Sequence, residues 1–129
     1  MPSLDRWAPY ALALLRIVAA LIFLEHGTQK LFGFPARPGG GAGPALLSMS
    51  GIAGILETVG GVLLLIGLYV RPTAFVLSGL MAFAYWIAHA PRSVYPVLNG
   101  GDAAILYCFI FLYLVFAGGG AFALDNRRR

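Results

Sequence analysis

The chain has 129 residues, of which 60% are hydrophobic and 11% are charged. Soluble domains average about 45–50% apolar and about 25% charged residues, so this composition excludes a water-soluble globule and also a disordered chain. A helix needs about 20 apolar residues to cross a bilayer, so four such helices would use roughly 80 residues and leave only short connections. The single cysteine, Cys108, excludes an intramolecular disulfide and a paired-thiol redox motif.

The formal net charge is +4, and three of the nine basic residues form the run Arg127 to Arg129. A basic tail on a membrane protein indicates a topology signal or a contact with anionic lipid. No other basic face is evident in the sequence. We therefore expect membrane lipid as a partner and no nucleic acid.

Apolar runs long enough to cross a membrane occur at four places, each bounded by a helix-breaking residue or a charged residue. The predicted spans are 7–32, 51–70, 73–90 and 103–124. Because proline cannot continue a helix, Pro72 and Pro91 are expected to end the second and third spans. The prolines and glycines of 34–50 predict a flexible loop, with a short interfacial turn near its end.

The expected fold is an all-α membrane protein, a bundle of four transmembrane helices forming one domain over 1–129. Backbone polar groups in lipid must be paired internally, and these runs are too long for barrel strands. Four spans place both termini on one side of the membrane. That side carries more positive residues than the other, so the positive-inside rule predicts that both termini are cytoplasmic.

Arg16 and Glu57 are charged residues inside the first and second spans. A charge in the hydrocarbon costs about 2.5–3.5 kcal/mol on insertion scales, so such groups pair or line a functional site. At about 1.5 Å of rise per residue the two differ by only about 6 Å in depth. We expect an Arg16–Glu57 ion pair, either as a clamp between helices or as a participant in chemistry.

A second set of polar residues is expected near the non-cytoplasmic face of the membrane. This set predicts a site in which His26, Asp102 and His89 handle protons, since histidine titrates near neutral pH. The residues expected to surround a bound quinone head group are Lys30, Tyr85, Trp86, Asn99 and Tyr107. The alternatives are plain structural polarity and, for Lys30, a side chain that reaches the lipid head groups. The spacing of histidines and carboxylates does not favour a metal site.

Several short motifs occur in an order that resembles the DoxX family, and the resemblance covers nearly the whole chain. The motifs are Leu15-Arg16-Ile17-Val18, His26-Gly27, Lys30-Leu31, Phe32-Gly33, the run GILETVGG over 54–61, Asn99-Gly100-Gly101-Asp102 and Leu124-Asp125. By this resemblance Arg16, His26, Lys30, Glu57, Asn99 and Asp102 occupy the family's polar motif positions. Asp102 departs from the family, which more often carries glutamate there.

The resemblance implies a small four-helix protein of the bacterial inner membrane. Its relatives include the small subunit of thiosulfate:quinone oxidoreductase and a maturation protein of a periplasmic amine dehydrogenase. The expected function is therefore a membrane subunit of a redox system that binds quinone and works with an electron-donating partner. The alternatives are a non-catalytic scaffold or assembly subunit, or a small-molecule transporter, which four helices would form only as a homo-oligomer.

Overall fold

The regular structure of the chain is helical throughout residues 2–38 and 46–127, the ranges that the computed structural model describes. The α-helices are α1 (Pro2–Asp5), α2 (Ala8–Phe32), α3 (Met49–Ile66), α4 (Val70–Ala84), α5 (Pro96–Asn99) and α6 (Asp102–Ala117). A π-helix (Tyr85–His89) and a 3₁₀-helix (Ala90–Arg92) follow α4, and a second 3₁₀-helix (Leu124–Arg127) follows α6. The all-α prediction is confirmed. The glycine-rich part of the predicted loop, over 39–45, lies outside the described residues.

Within residues 2–38 and 46–127, three helical segments are long and apolar enough to cross a membrane: Ser3–Phe32, Met49–Ile66 and Val70–Arg92. The fourth apolar helix, α6, has only 16 residues. The predicted continuation of this helix to Leu124 is wrong. Gly118 ends α6 with a φ of 78°, a backbone conformation that glycine adopts without steric cost.

The ends of the second and third predicted spans differ from those expected from Pro72 and Pro91. Gly67, with a φ of 76°, caps α3 directly after Ile66. Pro72 lies inside the first turn of α4, where its missing N–H removes no hydrogen bond. The third segment also continues past Pro91 to Arg92, so both predicted helix ends are corrected.

The chain forms two compact units, Met1–Val70 with Gly119–Arg129 (unit 1) and Arg71–Gly118 (unit 2). In unit 1, α2 and α3 lie antiparallel and very close. A Cβ atom on Gly27 would stand 2.6 Å from the Thr58 hydroxyl oxygen, and one on Gly61 would stand 3.1 Å from Leu24. Small residues permit such close helix packing in membranes.

In unit 2, α4 and α6 also run antiparallel. The Ser78 hydroxyl donates to the Cys108 carbonyl at 2.8 Å, and the Arg71 guanidinium donates to the Phe116 carbonyl at 2.6 Å. Leu77, Phe111 and Leu114 are the most deeply buried large apolar side chains of this unit, each at most 1% exposed. Many other large apolar side chains of the chain are exposed, as expected for a surface that faces lipid.

The close approach of α2 and α3 predicts a large effect from one methyl group. Gly27→Ala would place its Cβ 2.7 Å from the Thr58 backbone nitrogen, so the two helices must separate. We expect Gly27→Ala to lower the free energy of unfolding by about 1–3 kcal/mol. Gly79→Ala is the matched control, since its Cβ would meet no atom within 4 Å. Unfolding by SDS in mixed micelles measures both, and equal stability of the two variants would contradict the packing.

Candidate functional site

Asn99 is the centre of a hydrogen-bonded network in unit 2. Its side chain is buried, with 1% exposed. The amide nitrogen donates to the Tyr85 hydroxyl oxygen and to the Ser93 carbonyl, both at 3.0 Å. The amide oxygen accepts the Gly101 N–H at 2.8 Å. Every polar atom of this amide group is therefore used to fix the loop between the third helical segment and α6.

His89 joins the same network through the backbone of Asn99. Its Nδ1 lies 3.0 Å from the Asn99 carbonyl oxygen, and its ring stacks on Tyr85 at 6.4 Å and 28°. A carbonyl oxygen only accepts hydrogen bonds, so Nδ1 carries the hydrogen and, in the neutral ring, Nε2 is the acceptor. The predicted grouping of Tyr85, His89 and Asn99 is therefore present in the structure.

Local backbone geometry positions the network. Tyr85 and His89 bound the π-helix, a rare element that occurs frequently at functional sites. Gly101 stands directly against the phenol ring, because a Cβ there would lie 2.5 Å from Tyr85 Cε1. Gly100 ends α5 with a φ of 73°, which turns the chain toward α6. The glycine pair thus lets the loop close over the tyrosine ring.

An apolar groove of about 280 Å³ lies between α4 with its π-helix and α6. Tyr85 lines this groove and also accepts the Asn99 hydrogen bond, so it links the groove to the polar network. Trp86 packs edge-on against Tyr85, with ring centroids 5.4 Å apart. The lining residues are Met81, Ala82, Tyr85, Trp86, Ala104, Ile105, Cys108 and Phe109.

Two other predicted site residues of unit 2 lie apart from this groove lining. Tyr107 stacks on Phe111 of α6, with centroids 5.7 Å apart and an angle of 19°. Asp102 is exposed in the first turn of α6, where the helix dipole stabilises a carboxylate. The sequence interpretation missed Cys108 and Met81. Their spacing of four residues from Ala104 and Tyr85 could have placed them on the same two helix faces.

Glu57 is paired with Lys30 in unit 1, and the predicted Arg16–Glu57 pair is wrong. The Lys30 ammonium lies 2.6 Å from a Glu57 carboxylate oxygen, and only 3% of the Glu57 side chain is exposed. The pairing follows from the close approach of the helices, since a Cβ on Gly54 would stand 2.9 Å from Lys30 Cβ. Lys30 therefore neutralises a buried carboxylate within the hairpin of α2 and α3.

Arg16 instead binds the C-terminal segment, residues 119–127. The side chain is 1% exposed, and its Nη1 donates to the Gly119 carbonyl at 2.6 Å. Longer bonds of 3.5 Å reach the Ala121 and Phe122 carbonyls. Asp125 also acts on the guanidinium electrostatically. Arg16 thus holds the C-terminal segment through backbone carbonyls, whereas the predicted clamp joined it to Glu57.

The C-terminal segment is also held by Asp125. Its two carboxylate oxygens accept the backbone N–H groups of Tyr69 at 2.7 Å and Val70 at 2.9 Å. These donors lie at the start of α4, where the first N–H groups of a helix have no partner within it. Asp125 thus supplies the cap that α4 would otherwise lack.

His26, the remaining predicted proton-handling residue, is exposed on α2 in unit 1. Throughout residues 2–38 and 46–127, no three His, Cys, Asp or Glu side chains gather as a set of metal ligands. In the part of the chain that the structure describes, the polar chemistry of unit 2 therefore centres on Tyr85, His89 and Asn99.

Long apolar helices joined by short connections define a multi-pass membrane protein. The DoxX family model matches residues 11–90, and the chain belongs to this family. An uncharacterized protein of Haemophilus influenzae is 46% identical over 98% of this chain and 97% of its own length. An uncharacterized membrane protein of Mycobacterium tuberculosis is 28% identical over 92% of this chain and 82% of its own length. No solved structure matches.

Proposed function

We propose that this protein is a subunit of a membrane redox system that binds a quinone, or a similar lipid-soluble ring, in the groove between α4 and α6. The observation that carries the proposal is the position of Tyr85 at the junction of an apolar groove and a polar network. Ligand sites combine apolar walls with a few placed polar groups in this way.

The Tyr85 hydroxyl is suited to bind a ring carbonyl. Its oxygen accepts the Asn99 amide hydrogen, which orients the hydroxyl and leaves its own hydrogen to donate. Trp86 supplies an aromatic wall beside it. A quinone placed here would have its ring in the apolar groove and one carbonyl at the tyrosine.

Reduction of a quinone to a quinol takes two electrons and two protons. The electrons would come from a partner protein, which the proposal requires. His89 is the proton-handling group of the network, because its Nδ1 is engaged with the Asn99 carbonyl and Nε2 is left to bind a proton. Asp102 and His26 are proposed as further proton-handling groups.

The proposed setting is a bacterial inner membrane with both termini in the cytoplasm. This orientation rests on the four spans predicted from the sequence, for which the side assigned to Arg6, Arg71 and the C-terminal arginines carries the excess of positive residues. The antiparallel pairing within unit 2 places Arg71 at one end of α4 and Tyr85 near the other. The proposed quinone site would then lie toward the non-cytoplasmic face.

A scaffold or assembly role is the second candidate, and the charges of unit 1 favour it. Arg16 is committed to carbonyls of the C-terminal segment and Lys30 to Glu57, so both act as internal supports. The same contacts weaken the transporter alternative, because that reading needs these two cations along a path. A scaffold would bind a large partner and no small molecule.

Organic extraction of the protein purified in native lipid, followed by mass spectrometry, tests the proposal. We expect about one quinone per chain, and loss of it in Ala82→Phe, which fills the groove with a second ring. Ala103→Phe is the matched control, since Ala103 is exposed on α6 and outside the groove lining. A wild-type extract without quinone, or unchanged quinone in Ala82→Phe, would contradict the proposal. A stable partner protein without quinone would favour the scaffold.

A further inference from the structure

A second concave surface lies in unit 1, where α2 begins. It is a cleft of about 390 Å³ that Arg6, Trp7 and Tyr10 line. The Arg6 guanidinium carbon lies 5.5 Å from the Trp7 ring centroid, and the Trp7 and Tyr10 rings are 5.7 Å apart. The cleft therefore presents a cation supported by an aromatic ring.

The C-terminal segment holds this cleft in place. The Ala121 N–H donates to the Pro9 carbonyl at 3.0 Å, and the Phe122 ring lies 5.7 Å from that of Tyr10. Gly120 permits this approach, because a Cβ there would stand 2.7 Å from the Pro9 carbonyl oxygen. Tyr10 is thus packed between Trp7 and the C-terminal segment.

The charge of Arg6 is not neutralised within the described chain. The ion pair there joins Lys30 to Glu57, and Asp5, the carboxylate next to Arg6 in sequence, forms none with it. The chain as a whole carries a net charge of +4. The cleft therefore attracts an anion, and a guanidinium binds phosphate oxygens in a bidentate manner.

The position of the cleft identifies the source of the phosphate. The cleft lies at the start of α2, a 25-residue apolar helix, and the end of such a helix meets the membrane–water interface. Tryptophan and tyrosine are enriched at this interface. We propose that the cleft binds the phosphate-bearing head group of an anionic lipid. Arg6 pairs with the phosphate, the Trp7 ring supports the guanidinium, and the Tyr10 hydroxyl donates a further hydrogen bond.

The two tryptophans of the chain allow a test in which each reports on its own surroundings. In Trp86→Phe the remaining reporter is Trp7, and in Trp7→Phe it is Trp86. Each variant is placed in phosphatidylcholine vesicles containing dibrominated phosphatidylglycerol or dibrominated phosphatidylcholine. We expect the brominated anionic lipid to quench Trp7 with an apparent affinity about fivefold higher, as one cation near an anionic surface provides. Trp86 should show no such preference.

Charge variants of the single-tryptophan protein decide the source of the preference. Arg6→Gln should bring the affinity ratio close to one, whereas Arg92→Gln, an exposed arginine of unit 2, should leave it unchanged. Equal quenching of Trp7 by both lipids would overturn the proposal. So would an equal fall of the affinity ratio in Arg6→Gln and Arg92→Gln. Soluble glycerol phosphate at millimolar concentration should not relieve the quenching. Full relief would assign the cleft to a free phosphate ester and overturn the lipid assignment.

Discussion

Arg16→Ala is expected to lower the free energy of unfolding by about 2–4 kcal/mol, because buried carbonyls lose their donor. The Gly119 carbonyl accepts a bond of 2.6 Å from this guanidinium in the non-helical stretch between α6 and the last 3₁₀-helix. Bonds of 3.5 Å to Ala121 and Phe122 would be lost as well. The C-terminal segment should then detach and expose the Asp125 cap of α4.

Unfolding by SDS in mixed micelles, together with limited proteolysis of the C-terminal segment, measures this effect. Arg16→Lys should be intermediate, since an ammonium reaches one carbonyl but cannot span several. Arg92→Ala removes the same charge type from an exposed site and should change stability by less than about 0.5 kcal/mol. Wild-type protease resistance in Arg16→Ala would contradict the clamp.

Asn99→Ala should have the second large effect, a loss of about 2–3 kcal/mol of stability together with loss of quinone from the purified protein. The substitution removes the donors to Tyr85 and Ser93 and the acceptor of the Gly101 N–H. The tyrosine hydroxyl would lose its orientation, and the loop whose Asn99 carbonyl holds His89 would loosen.

Asn99→Asp separates the two roles of this amide. It keeps the acceptor for Gly101 but removes the donors to both Tyr85 and Ser93, so the purified protein should lose its quinone although the Gly101 hydrogen bond is kept. Asn126→Ala is the matched control, an exposed amide that donates to the Gly120 carbonyl at 2.9 Å. Loss of this hydrogen bond should lower the free energy of unfolding by less than about 1 kcal/mol and leave the amount of bound quinone unchanged. Full quinone retention in Asn99→Ala would exclude the network from binding.

The helical membrane fold could be predicted because it depends on composition and on the length of apolar runs. The first span, predicted over 7–32, is observed as α2 from Ala8 to Phe32. The helix ends near Pro72 and Pro91 could not be placed, because proline fits the first turn of a helix as well as the position after one. The fold of the C-terminal segment back onto α2 could not be predicted from the three glycines after Ala117.

The ion pair of Glu57 shows why matched depth is insufficient evidence for a contact. Arg16 and Lys30 both lie on α2, and the choice between them depends on the rotation and register of two helices. The close contacts of Gly27 and Gly54 set that register. Arg16 then meets the Gly119 carbonyl, which a helix continuing to Leu124 would have satisfied internally.

Three of the predicted polar residues form the network, and the predicted Trp86 lines the groove. His26, Lys30, Asp102 and Tyr107 were predicted for the same site but belong neither to the network nor to the groove lining, and most of the apolar wall was not predicted. Tyr85, His89 and Asn99 were grouped by their depth and by the rarity of polar residues in apolar sequence, and the structure joins them by hydrogen bonds and ring stacking. Cys108 and Met81 line the groove, but apolar residues of this kind also occur throughout the lipid-facing surface.

Alkylation of Cys108 tests the quinone site most directly, because this single cysteine lines the groove. The rate of reaction with a membrane-permeant maleimide is measured in vesicles, with and without decylubiquinone, whose fully substituted ring offers a thiol no position for addition. At about ten times the dissociation constant, labelling should slow about tenfold, and Ala82→Phe should abolish the dependence on quinone. An alkylation rate that saturating quinone leaves unchanged would contradict the proposed site.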